Sequence, residues 1–204
     1  MALLSPSANG LRKLVAICEK YAAEHYLTYN VKKSEVMIFK YSKGPAQILP
    51  INLCGTALKI VNKFKYLGHI IKDDLTDDAD LERQRRSIAC RSNMLVRRFF
   101  HCSKLVKITL FKAYCQSFYT CQLWYKYTKG AYNTLRVQYN NAFRGMLKLP
   151  WRCSATGMFV ENRVTDFHGL LRRLKATFLS RLTHCNNDLV TEVFHAVYLL
   201  RRCN

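Results

Sequence analysis

Residues 27–41, LTYNVKKSEVMIFKY, together with 51–61, INLCGTALKIV, and 64–71, FKYLGHII, decide how this chain of 204 residues is read. Val36 to Phe39 is a short apolar run, and Ile48 to Leu53 alternates apolar and polar residues. Leu58 to Ile60 alternates again after a Cys54-Gly55-Thr56 turn, and Phe64 to Ile71 is a further strand candidate. Runs this short, punctuated by turn residues, predict strands. Gly68 inside the last run marks a bulge or the close approach of another backbone.

Upstream, Ser7 to His25 reads as a helix. Ser7 caps it, and Leu11, Leu14, Val15, Cys18, Tyr21 and Ala22 make an apolar stripe at helical spacing. Downstream, Lys72 to Glu82 (KDDLTDDADLE) holds six acids. It has neither the central glycine nor the closing glutamate of a calcium loop. Asp77 or Asp78 is expected to cap a helix whose positive end the other acids favour. Helices then dominate. Leu81, Ile88, Leu95 and Phe99 share one face of the first, with Arg83, Arg86 and Arg97 opposite by 100° spacing. Leu105 to Tyr127 is apolar nearly all round, which predicts one central buried helix. Leu135, Tyr139, Ala142, Met146 and Leu149 form a third stripe, with Arg144 and Lys148 off it and Pro150 as the stop. A loop over Trp151–Asn162 and helices over Thr165–Arg181 and Asn187–Arg202 complete the chain. The expected class is α+β: a helix with short antiparallel strands over residues 1–72, a helical region over 73–150, and a helical extension over 151–204.

Half the residues are apolar, which excludes a disordered basic tail. No apolar run approaches the roughly 18 residues that a membrane span needs. The N-terminal Ala2-Leu3-Leu4, followed by Ser-Pro-Ser, is too short for a secretory core, so a cytoplasmic or nuclear, non-secreted protein is expected. The nine cysteines are scattered, form no Cys-x-x-Cys pair, and read as reduced thiols. His184, Cys185, His195 and Cys203 come nearest to a ligand set, but their spacing fits no familiar metal site.

The net charge of +20 is lopsided. Residues 1–82 carry 11 Lys/Arg against 9 Asp/Glu, and residues 83–204 carry 22 against 4. Such an excess repels itself unless a polyanion lies near, and nucleic acid is the natural one. An anionic membrane is the weaker alternative, because the cations are not gathered into one short patch.

Three pieces, in this order, resemble the end of the palm, the thumb and the following segment of a non-LTR (LINE-type) retrotransposon reverse transcriptase. Leu27 to Met37 after the first helix is similar to polymerase motif D, with Asn30-Val31-Lys32-Lys33-Ser34 in place of an Asn-x-x-Lys-Thr pattern. Phe64-Lys65-Tyr66-Leu67-Gly68 is similar to motif E, the primer-grip hairpin. The basic helices that follow, including Tyr139 to Arg144 and Arg152 to Ala155, look like the thumb and the region beyond it.

The resemblance implies RNA, DNA or an RNA–DNA hybrid as partner. It gives Lys33 the place of a lysine that donates a proton to departing pyrophosphate, a role lysine can fill and arginine cannot. An ordinary solvated lysine at a strand entrance is the competing reading. Gly68 would let main chain approach a sugar–phosphate backbone while Tyr66 and Leu67 anchor the hairpin. The expected contact residues are Lys32, Lys33, Tyr66, Leu67, Gly68, Arg83, Arg86, Arg97, Arg98, Arg144 and Lys148. In the family the metal-binding aspartate pair, usually within a Tyr-Ala-Asp-Asp tetrad, stands just upstream of a stretch like Met1–Ser7, so Mg2+ is expected only for an intact parent polymerase. The chain by itself is then expected to hold nucleic acid and not to polymerise. The alternative is a non-enzymatic basic helical module that binds nucleic acid or an acidic protein.

Overall fold

Ser7 closes the first turn of α1 (Ala8–Glu24), its hydroxyl accepting from the Gly10 N–H at 3.0 Å. The computed structural model describes residues 1–39 and 48–194, which fall into two compact units, Met1–Thr76 and Asp77–Asn204. Among the described residues no helix is long and apolar enough to cross a membrane.

The first unit has a small core. Val15 of α1 packs with Val36, Ile51 and Leu53, and Leu3, Leu11, Tyr29, Val31, Ile38 and Leu58 lie against them. The strands are shorter than their alternation suggests and do not form one sheet. β1 (Glu35–Val36) runs parallel to β4 (Lys59–Ile60), and β2 (Asn52–Leu53) pairs antiparallel with β3 (Thr56–Ala57). β5 (Lys63–Tyr66) pairs antiparallel with β6 (His69–Lys72). The expected single strand over Phe64–Ile71 is therefore a hairpin, and Gly68 sits in its turn and not in a bulge. Leu67 and Gly68 both take positive φ, 45° and 84°, as a tight two-residue turn between right-twisted strands requires. Cys54 and Gly55 turn β2 into β3 in the same way, and the Glu19 carboxylate of α1 accepts from the Cys54 N–H.

The second unit is built on α2 (Asp78–Arg98), α3 (Lys104–Cys115), α4 (Lys129–Leu147), α5 (Ala155–Glu161) and α6 (Phe167–Thr183). Its core joins Leu81, Ile88 and Leu95 to Phe111, Leu135, Tyr139, Phe143, Met158, Phe159, Phe167 and Leu170. Residues from both sides of Pro150 meet in this core, so the extension after residue 150 is not a separate body among the described residues. The Tyr139 ring lies within 6.0 Å of Phe111, Phe118, Phe159 and Phe167. Its hydroxyl donates to the Thr165 carbonyl at 2.8 Å and accepts from Gln116 Nε2 at 3.0 Å, so the one polar atom on this ring is satisfied.

Several expectations fail here. The continuous helix over Leu105–Tyr127 does not exist: α3 stops at Cys115, and Cys121–Leu123 forms one 3-10 turn after Thr120, which has φ 66°. Side chains of α2 compensate the break. Arg91 Nη1 donates to the Tyr114 carbonyl at 2.7 Å, Gln84 Nε2 to Ser117 at 3.1 Å and Arg83 Nη2 to Tyr119 at 3.2 Å. Carbonyls orphaned at a helix end thus find partners on a neighbouring helix. The loop read over Trp151–Asn162 contains α5. Asp77 stands at the N-cap of α2, with Asp78 and Asp80 in the first turn as expected, but its side chain makes no capping bond. Its Oδ2 instead accepts from the N–H groups of Tyr125 and Lys126 at 2.7 and 2.8 Å, and Asp78 Oδ1 accepts from Thr128 N–H at 2.8 Å. Pro150 is also not what ends α4. Lys148 turns left-handed at φ 54° and closes the helix two residues earlier. Residues 188–194 are helical, and the remainder of the helix expected to Arg202 lies outside the described residues.

Cys115 and Cys121 are fully buried, and burial pushes both thiols from 9.0 up to about 11. A raised pKa favours the folded state below the unfolded value and loses that contribution as the pH climbs through the folded one. Stability measured by urea titration should therefore be flat to pH 8 and fall by about 1 kcal/mol per thiol by pH 10. Iodoacetamide at pH 8 should modify the exposed Cys54 and Cys90 while sparing Cys115 and Cys121. Equal labelling of all four would contradict the core described here.

Candidate nucleic-acid interface

The pattern Asn-x-x-Lys-Ser has a local cause. Asn30 caps a 3-10 turn at Val31–Lys33, its Oδ1 accepting from Lys33 N–H at 3.2 Å, and Ser34 Oγ donates to the Asn30 carbonyl at 3.0 Å. The turn projects Lys32 and Lys33 into solvent ahead of β1. The serine in place of threonine keeps the hydroxyl that this turn uses.

The β5–β6 hairpin is two-faced. Strand alternation puts Lys63 and Lys65 with Ile70 and Lys72 on one side, and Phe64 and Tyr66 with Ile71 and His69 on the other. The Phe64 and Tyr66 rings stack at 6.3 Å, and both are partly exposed. Leu67 stands at the hairpin tip, 74% exposed.

In the second unit the arginines divide into two groups. Arg83 does not lie on an open face. Its Nε and Nη2 donate to Asp80 at 2.6 and 3.1 Å, and the Asp80 side chain is 0% exposed. Arg85 and Arg86 both donate to Glu82, at 2.6 and 2.7 Å, and the bonds from Arg85 first among them hold that carboxyl down at about 2. Arg144 donates from Nε and Nη2 to the Cys153 carbonyl and from Nη1 to Asn141, tying α4 to the segment after Pro150. These groups are committed to the fold, Arg86 least so, since 76% of its side chain is exposed.

The other group is gathered near the C-terminal end of α2. Arg97 and Arg98 are exposed in its last turn, where cations also suit the negative end of the helix. Phe100, just beyond, collects two ammonium groups: Lys148 lies 3.4 Å from its ring centroid and Lys107 5.9 Å, and Lys107 also donates to the Phe100 carbonyl at 2.8 Å. Lys148 therefore reaches this cluster from the far end of α4. Sequence spacing did not single out Phe100 or Lys107. The signal available was an aromatic residue at the end of a basic helix, followed within a turn by more lysines.

Asp74 accepts from Lys72 and Thr76, bonds led by Lys72 that hold it well below the usual carboxylate range, and Asp77, Asp78 and Asp80 face donors of their own chain. Among the described residues no three His, Cys, Asp or Glu side chains gather to hold a metal, and His195 and Cys203 lie outside those residues. No protein-family model, curated protein or solved structure matches this chain.

Proposed function

We propose that the chain grips the backbone of an RNA–DNA or related duplex without reading its bases, as the thumb-bearing part of a LINE-type reverse transcriptase does. The observation that carries this reading is the spending of negative charge. Residues 83–204 hold 22 cations against 4 acids, and the acids that start α2 are bound to partners inside the unit. Arg97 and Arg98 in the last turn of α2, and Lys107 and Lys148 at the Phe100 ring, then carry the positive charge that remains. Each phosphate they neutralise releases condensed counterions, which favours binding irrespective of sequence. The order of the motif-D-like turn, the hairpin and the basic helices supplies the choice of ligand.

The test is fluorescence anisotropy of a labelled 20-base-pair RNA–DNA hybrid against KCl. Affinity should fall by about 100-fold or more between 50 and 200 mM salt, and hybrids of unrelated sequence should bind within about threefold of one another. No binding at 50 mM KCl would refute the proposal and favour an acidic protein partner for the same cations.

A further inference from the structure

A second basic region lies away from the Phe100 cluster. An open hollow of about 500 Å3 is lined by Tyr127, Tyr132, Asp166, His168, Leu171, Arg172 and Lys175. A smaller one of about 260 Å3 shares Tyr127 and Tyr132 and adds Lys129 and Asn133. The two tyrosine rings are nearly parallel, 11° apart with centroids at 5.6 Å. Tyr132 is held from two sides. Phe167 meets it edge-on at 5.1 Å, and its hydroxyl is 2.9 Å from His168 Nδ1. Burial raises the Tyr132 phenol, so it stays neutral at physiological pH. Lys175 donates to the Trp124 carbonyl at 3.4 Å and stands 5.9 Å from the Tyr127 ring, which fixes an ammonium beside the aromatic wall. The acid in the hollow is already used: Asp166 caps α6, its Oδ1 accepting from Gly169 N–H at 2.8 Å. Arg172 and Lys129 are exposed at the two hollows.

Paired flat rings, with Lys129, Arg172 and Lys175 around them outnumbering the one carboxylate, Asp166, fit a ligand that carries both a π-face and a phosphate. We propose that this hollow holds an unpaired nucleotide of a single-stranded segment adjoining the gripped duplex. Its base lies against the Tyr127–Tyr132 wall, and its phosphate lies by Arg172, Lys175 and Lys129. The inference rests on the duplex-binding reading above and adds a single-strand site to it. Stacking on an aromatic side chain tolerates any base, so the site needs no sequence preference.

The experiment compares two probes on the full chain, a labelled 12-mer of oligouridine RNA and a blunt 16-base-pair RNA–DNA hybrid. The variants are Arg172→Ser and Tyr127→Leu, with Arg181→Ser as an exposed control of equal charge outside the hollow. Circular dichroism melts confirm folding, and Arg172→Ser tests the site even if Tyr127→Leu is destabilised. Arg172→Ser and folded Tyr127→Leu should each weaken oligouridine binding about tenfold while changing hybrid binding by less than about threefold. Oligouridine carrying 5-iodouridine should cross-link to Tyr127 or Tyr132 on irradiation. The proposal is overturned if Arg181→Ser costs oligouridine as much as Arg172→Ser, if both probes weaken equally, or if neither variant changes anything while the hybrid still binds. Failure of the unmodified protein to bind either probe would remove the duplex reading and this site together.

Discussion

Asp80→Ala should destabilise the 77–194 unit by about 3–5 kcal/mol, read as a lower urea midpoint at unchanged slope. The Asp80 carboxylate is wholly buried and accepts two bonds from Arg83 and one from Trp124 Nε1 at 2.8 Å, with the Thr120 hydroxyl 3.2 Å away. Truncation removes an anion and leaves a half-buried guanidinium and a buried indole N–H without that partner. The cost comes mostly from those stranded donors, because breaking one side of a buried pair leaves its desolvation unrepaid. Asp80→Asn, which keeps the shape and one acceptor, should cost less. Arg83→Met should also be destabilising, and the double variant should lose less than the two single changes added together. A midpoint for Asp80→Ala within about 0.5 kcal/mol of the parent would show that the pair does not hold α2 to residues 120–124. Arg83 substitutions that weaken nucleic-acid binding should do so through unfolding, a difference that circular dichroism resolves.

The second large effect is on binding. Arg97→Glu with Arg98→Glu should weaken the 20-base-pair hybrid on the order of 100-fold at 50 mM KCl and make the salt slope shallower by about two. Both side chains are exposed, so the unit should keep its fold, with about 1–2 kcal/mol lost where acids replace cations at a negative helix end. Equal slopes for parent and variant would mean that the end of α2 touches no phosphate. Reversal at Arg85, which is tied to Glu82, should affect binding far less.

The helices with one-sided stripes were legible in the sequence. Leu81, Ile88 and Leu95 are buried in α2, and Leu135, Tyr139, Ala142 and Met146 are buried in α4, because a stripe both marks a face and stops when the helix stops. Leu105–Tyr127 misled for the opposite reason. It is apolar all round, so no face ran out at Cys115, and only Gln116, Ser117 and Thr120 hinted at the break. The strands failed in extent because pairings two residues long leave no alternation to read. α5 was missed because seven residues after a proline carry barely two turns of pattern.

The candidate interface was half legible. Angular spacing put Arg83 opposite Leu81, yet Asp80 three residues earlier was the cue that it is neutralised. Nothing local could bring Lys148 to Phe100, or Tyr132 to His168, since those meetings depend on how the helices pack.

Because the side chains of α2 supply the missing partners for residues 114–128, about forty positions downstream, inheritance should treat these two stretches as one. A lineage that abandons the aspartate at 80 should, in the same step or soon after, give up the indole at 124 and the guanidinium at 83. Orthologues should show those positions changing together while Arg97 and Arg98 drift independently between lysine and arginine.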